Sequence, residues 1–533
     1  MGALGLIILL MLLILFGQPL FVIMGAVTAY SFFFMGDGNI KGIIEDVFYA
    51  ADKEILLAIP LFILAGNLMT HGSIARRLIR LGSSLTAPIP SGLAVAAVIS
   101  CGIFAAISGS SPVTLIAIGG IMYPALKKAG YNQNFAMGIL SSGGTLGIII
   151  PPSIPMIIYA IMVGVSVMDL FIAGVGPGLL LLTALIIYSI VKGWNMPRGK
   201  WDGKEILTSI KEGILALLMP GVILGGIYTG FFTATESAAI AVLYAIIIEV
   251  FVHRDLSIKK IPTILTESAE MLGTLFLILL LAVSLNKFMT FEHIPQTLVE
   301  KLSELISSKI TFLLGVNILL LIVGCVMDIM SAILVLAPLL APMAVHYGIN
   351  PIHFGIIMIV NLEIGYITPP VGVNLFVASS IFREPLGKVI KSVMPLVLIF
   401  IVCLGIVTSF PQLSLSLVKD GGVKQKQAIP GQGKESLAIE LTPDQKKYAG
   451  KWTSTIGTIE ITEEGKITTT PPLGKTGAEF LPKMTDAAVE ITLDTLKAVS
   501  EETTKEFKIT TPPDPTTPKT MKLDEIEFTK EVE

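Results

Sequence analysis

The sequence predicts an all-α polytopic membrane protein made of two related halves, each with a re-entrant helical hairpin and an interrupted helix, plus a small β-containing extension. Three observations predict it. First, the 533 residues have a mean hydropathy of +0.80, with 53% hydrophobic and 14% charged residues. That is more apolar surface than a water-soluble chain of this size needs. Second, charge is unevenly divided. From Asp420 onward there are 15 Lys/Arg against 20 Asp/Glu, whereas the first 419 residues carry 22 against 20. Third, the chain overlays itself under a shift of 218 residues.

A helix needs about 20 apolar residues to cross the hydrocarbon core. Runs of roughly that size, some shorter, occur near 3–16, 19–35, 55–70, 135–163, 170–191, 212–231, 234–252, 269–288, 353–382 and 393–411. So many runs exclude a cleaved signal peptide as the source of the hydropathy. Two further runs, 91–124 and 311–345, make about 50 Å of helix each, too long for one span and too short for two with a turn. Each is expected to be a hairpin of half-depth helices that enters and leaves by one face. Their midpoints, SGSS (108–111) and MDIMS (327–331), supply the polar tips; one long tilted helix is the alternative. Basic residues mark the cytoplasmic side. Arg76, Arg77, Arg80, Lys127 and Lys128 flank the first hairpin, while Glu292, Glu300, Lys301, Glu304 and His346 flank the second without positive excess. The first is therefore expected to enter from the cytoplasm and the second from outside.

The 218-residue shift runs without a gap from Pro124 to Pro177. It sets Pro124 on Pro342, Gly130 on Gly348, Asn132 on Asn350, Gly147 on Gly365, Pro151-Pro152 on Pro369-Pro370 and Pro177 on Pro395. Matches concentrated on Gly, Pro and Asn signal shared backbone geometry. Five single spans separate the starts of the two units, so the repeat is expected to be inverted, an architecture of secondary transporters. GTLGIIIPPS and EIGYITPPVG interrupt their spans, and a broken helix at that depth is tolerated only beside a polar cavity.

The polar residues inside these runs are the candidate site. Asp328 at the second tip reads as the border of a cation site or as a helix cap, since a carboxylate at bilayer centre costs about 2.5–3.5 kcal/mol on insertion scales. Ser108, Ser110, Ser111 and Thr114 form the first tip; Gly143, Gly144 and Thr145, with Gly365 and Thr368, belong to the interrupted spans. Ser153 and Asn374, beside the two Pro-Pro pairs, are candidate substrate contacts. Glu236 and Glu363 read as intramembrane carboxylates that relay protons or hold helices together, and Lys287 as a snorkelling residue. Cys101, Cys325 and Cys403 lie in apolar runs and suggest neither disulfides nor a metal site. HExxH and G-x-S-x-G are absent, and LGKTG (473–477) has Thr469 where a phosphate loop needs its first glycine. An ion gradient is therefore the expected energy source.

SGSSPVTLIAIGGIMYPALKKAGY, GTLGIIIPPS, FTATESAA and ITPPVGVNLF resemble the large membrane subunit of TRAP transporters, the tripartite ATP-independent periplasmic transporters, over roughly residues 1–415. The resemblance implies an elevator-type, sodium-driven symporter of a small carboxylate such as a C4-dicarboxylate or a sialic acid. It implies one sodium site at Ser108, Ser110 and Gly143–Thr145 and another at Asp328, Gly365 and Thr368. Substrate would lie near Ser110, Thr114 and Ser153. It further implies two partners, a small four-helix membrane subunit encoded separately and a periplasmic binding protein, and a bacterial inner-membrane location. A sodium/proton exchanger on the same fold is the alternative; a membrane enzyme or a channel is a third reading.

The expected layout is a transport domain at 1–415, with repeats near 55–250 and 265–412, a linker at 416–434, and an acidic soluble domain at 435–533. In that last region IGTIEITEEGKITTT (456–470) reads as a β-hairpin turning at Glu464-Gly465, and TPPDPTTPKT (511–520) as an extended segment. The alternation of spans puts this domain on the periplasmic side.

Overall fold

The computed structural model describes residues 2–35, 41–196, 198–303, 306 and 308–418, and the backbone of eight strands between 450 and 530. Most of the expected linker, the hairpin turn at Glu464-Gly465, LGKTG and most of the Pro/Thr segment lie outside the described residues. Two compact units divide the chain, Met1–Gly431 and Gln432–Glu533.

The first unit is helical. Among the described residues, nine helices are long and apolar enough to cross a membrane. Two stretches of it share one build. In the first, Gly92–Ser108 turns through Gly109 into a helical arm running from Ser111 to Lys128. An Asn-capped helix, Gln133–Ile149, breaks at Pro151-Pro152 and resumes as Ile154–Val163, and the long helix Val167–Lys192 follows. In the second, Lys309–Val326 turns through Met327-Asp328 into Ile329–His346, Pro351–Tyr366 breaks and resumes as Val373–Phe382, and Leu386–Ser409 follows. The hairpins thus run to 128 and 346, slightly beyond the expected 124 and 345. Their first arms, of 17 and 18 residues, are about 26 Å long.

The matched residues do matched work. Gly130 and Gly348 take the left-handed backbone (φ 86° and 68°) that ends one arm and starts the next helix. Asn132 Oδ1 then accepts from the N–H groups of Asn134 and Phe135, and Asn350 Oδ1 from those of Ile352 and His353, an N-cap in both halves. Each break is tied to its own hairpin. The Ile154 N–H donates to the Gly109 carbonyl at 3.4 Å, and the Val371 and Gly372 N–H groups donate to the Cys325 carbonyl at 3.1 and 3.2 Å.

The first halves of the interrupted helices, Gln133–Ile149 and Pro351–Tyr366, are buried along most of their length. Glu54–His71 (a 3-10 turn leading into an α-helix) packs with Ala234–Ile246, Gly203–Tyr228 with Ile74–Thr86, and Ile261–Phe291 with Leu20–Tyr30 and Lys41–Ala51. One expectation is corrected at this periphery. Glu236 sits exposed at a helix start, where Thr233 and Glu236 form a capping box, so it is a cap and not an intramembrane relay. Lys287 pairs with the buried Asp46, whose other oxygen accepts from Ser284 Oγ. Glu249, unremarked in the sequence, is fully buried and receives the Ser73 and Ile74 N–H groups at 2.9 and 2.8 Å. It caps the helix Ile74–Thr86 from a segment 175 residues away.

In the second unit, strands β1 (Gly450–Ser454), β2 (Gly457–Ile461), β3 (Lys466–Thr470), β4 (Met484–Ile491), β5 (Thr495–Val499), β6 (Thr504–Thr511), β7 (Thr520–Leu523) and β8 (Ile526–Lys530) form a closed antiparallel barrel in sequence order. β8 returns to β1 with Trp452 opposite Lys530. By register, Trp452, Ile459, Ile461, Ile467, Val489, Leu496 and Phe507 share one face. In the same register Lys451 stands opposite Glu460, Lys497 opposite both Glu490 and Glu506, and Lys522 opposite Glu527. Apolar alternation and cross-strand charge pairing both favour this register.

Glycine carries the close approach of hairpin and break. A Cβ on Gly365 would stand 2.3 Å from the Gly324 carbonyl carbon, and one on Gly147 would stand 2.4 Å from the Ser110 carbonyl oxygen. Gly365→Ala is expected to cost about 1–3 kcal/mol by overpacking, read as a lowered thermal midpoint of the purified protein. Gly225→Ala, in a helix with open space around it, should be neutral or stabilising by about 0.5–1 kcal/mol.

Candidate functional site

The first hairpin tip is a dense knot of oxygen atoms. Ser108 Oγ and Thr114 Oγ1 lie 2.8 Å apart, and the Thr114 hydroxyl donates to the Ser110 carbonyl at 2.9 Å. Ser108, Ser110 and Thr114 are all buried. Gly109, at φ 59°, lets the chain reverse there, and its missing side chain admits the Pro152 carbonyl. The Ile154 bond to Gly109 therefore brings Ser153 beside this tip. Ser153 is fully buried, and its hydroxyl has no partner.

Of the first expected ion set, the structure joins Ser108 to Ser110. Gly143 and Gly144 pack elsewhere on the same hairpin, against Cys101 and Leu115. Thr145 donates within its own helix, to the Ser142 carbonyl at 2.6 Å. It is Gly147 that meets Ser110. Ser141 and Ser142 add two buried hydroxyls without partners.

At the second tip, Asp328 caps the arm Ile329–His346 by accepting the Ser331 N–H at 3.0 Å. The cap reading of Asp328 is thus realised. Gly365 lies against the Gly324 backbone of this hairpin, and Thr368 donates to the Ile364 carbonyl at 2.6 Å.

The two halves meet at Ser111. Its hydroxyl donates to Glu363 Oε1 at 2.9 Å and accepts the Asn374 side-chain N–H. Ser111, Glu363 and Asn374 are completely buried. Asn374 begins the half-helix Val373–Phe382, which packs against the first hairpin. Further ties join the halves: the Tyr159 hydroxyl donates to the Pro351 carbonyl at 2.7 Å, and Lys388 Nζ to Gln133 Oε1 at 2.7 Å. Outside the spans, the Glu384 carboxyl is held below the usual range by Lys388 and by the Tyr123 hydroxyl. The serine link was not legible in the sequence. Ser111 reads there as one of four tip hydroxyls, and its partners lie 252 and 263 residues away.

The chain matches the family described as tripartite ATP-independent periplasmic transporter, DctM component, over residues 7–413. It is 44% identical to the C4-dicarboxylate TRAP transporter large permease protein DctM of Pseudomonas aeruginosa, across 74% of this chain and 92% of that one. It is 39% identical to the protein of the same name in Rhodobacter capsulatus (78% and 99%), and 34% identical to the ectoine TRAP transporter large permease protein TeaC of Halomonas elongata (76% and 96%). Among solved structures, the Alcanivorax borkumensis YdaH transporter shares the fold with a TM-score of 0.50 at 12% identity, over 70% of this chain and 88% of that one.

The Ser111 junction makes a stability prediction. Ser111→Ala strips buried partners from both Glu363 and Asn374 and should cost about 1–3 kcal/mol, measured as a drop in thermal midpoint. Ser100→Ala removes a buried hydroxyl that has no partner and should leave the midpoint unchanged or higher.

Proposed function

We infer the function of this chain from the family it belongs to, the DctM component of the tripartite ATP-independent periplasmic transporters. It is accordingly a transporter permease, not an enzyme, and a multi-pass inner-membrane protein. The substrate we propose is a small organic carboxylate, a C4-dicarboxylate or a related acid such as a sialic acid, moved by sodium-driven symport.

What supports this reading is one observation: two hairpin tips are each bonded to the break of their own interrupted helix, and the first brings buried hydroxyls and carbonyls together there while the second sets the half-buried Asp328 and Thr368 beside its break. Hard oxygen donors suit sodium, and half-helix N-termini suit a carboxylate. In the mechanism we propose, Ser108, Ser110, Gly143 and Thr145 border one sodium and Asp328, Gly365 and Thr368 another. The serine-rich first tip, with Thr114 and Ser153, receives the carboxylate. Ser153 has a free hydroxyl to offer it.

Alternating access then follows as an elevator motion of an inverted repeat. The hairpins and interrupted helices, cross-tied through Ser111, Tyr159 and Lys388, move together against the peripheral helices. Substrate arrives from a periplasmic binding protein, and a small four-helix membrane subunit completes the complex. The same topology would put the barrel unit on the periplasmic face.

Uptake into proteoliposomes holding this chain and its small subunit tests the proposal. Labelled acids should accumulate only with an inward sodium gradient and only when the binding protein is present. Sodium-driven proton movement without uptake of any acid would reject symport in favour of exchange.

A further inference from the structure

The junction at Ser111 is incompletely satisfied. Glu363 Oε1 accepts from Ser111, but Glu363 Oε2 has no partner; Asn374 donates to Ser111, but its Oδ1 has none. All three side chains are completely buried. A buried acceptor without a donor forfeits its desolvation, and a buried carboxylate forfeits far more. Both orphan atoms are oxygens, one carries formal charge, and both belong to side chains held by one serine. Among the described residues no basic side chain is bonded to Glu363: the donor on it is Ser111, and the elements that bracket it, Val373–Phe382 and the first hairpin tip, bring Asn374 and hydroxyls.

We propose that Glu363 Oε2, Asn374 Oδ1 and Ser111 Oγ form a cation site of their own, for sodium or an ion of like size and hardness, at the seam between the two halves. Three oxygen donors, including one carboxylate, are the ligand chemistry of such an ion. The site is distinct from the two tip sites, because its ligands come from both halves: Ser111 from the first hairpin, Glu363 and Asn374 from either side of the second break. An ion there neutralises Glu363 and fastens the first hairpin to the second interrupted helix, so it travels with both. Asn374 Oδ1 is thereby given to the ion rather than directly to the substrate. This deepens the symport reading by adding a coupling ion, yet its test needs no substrate.

The test is sodium binding to the full chain with its small subunit in detergent, read with radioactive sodium and with no acid present. Glu363→Gln should bind one sodium fewer per chain than the natural protein. Its thermal midpoint in sodium-free buffer should be equal or higher, since an uncompensated buried charge is gone, and it should rise less on adding sodium. If that variant does not fold, Asn374→Ala keeps the carboxylate and should shift the sodium midpoint of one site to higher concentration. Equal sodium counts and equal sodium-induced stabilisation in natural and variant chains would overturn the proposal, leaving a proton or a water to satisfy Glu363. The two readings fail separately. Uptake of acids with unchanged sodium counts rejects only this site, whereas no sodium bound by the natural chain rejects sodium coupling itself.

Discussion

The structure depends on one constraint: a helix broken within hydrocarbon must find partners for the backbone groups it releases. Each unsatisfied group there costs several kcal/mol. This chain meets the constraint twice in the same way, by laying each break against the turn of the preceding hairpin. The Gly109 and Cys325 carbonyls take up the freed N–H groups, and Gly147 and Gly365 let the two backbones approach closely enough to do so. The hairpins are therefore what makes interrupted helices possible, and the polar centre is a by-product of that solution. Hydroxyls and carbonyls assemble there because backbone bonding brings the tips inward.

Much of this was legible in the sequence because it is written in backbone-determining residues. Gly130 and Gly348, Asn132 and Asn350, and the two Pro-Pro pairs mark a left-handed turn, a helix cap and a break, and each occupies the position its type dictates. Such residues act locally, so a shift of the chain against itself exposes them. Hairpin limits were less sharp, since the first arm stays helical beyond its apolar run, through Lys127 and Lys128.

The rest was illegible for a physical reason. Glu249 caps a helix 175 residues distant, Asp46 pairs with Lys287, and Ser111 gathers Glu363 and Asn374. These contacts follow from how helices pack, and helix packing leaves no periodic trace near the residues concerned. Glu236 shows the converse error. A lone carboxylate in an apolar run invites a functional reading, but three residues earlier stands the threonine that makes it a cap.

The barrel of the second unit has one more consequence. A transporter embedded in a bilayer is confined to two dimensions, so any unit attached to it meets its neighbours' copies at high local concentration. An open sheet in that setting would offer unpaired strand edges to each passing copy. Because β8 closes onto β1, the described strands leave no such edge, and crowding in the membrane plane meets no template for aggregation among them.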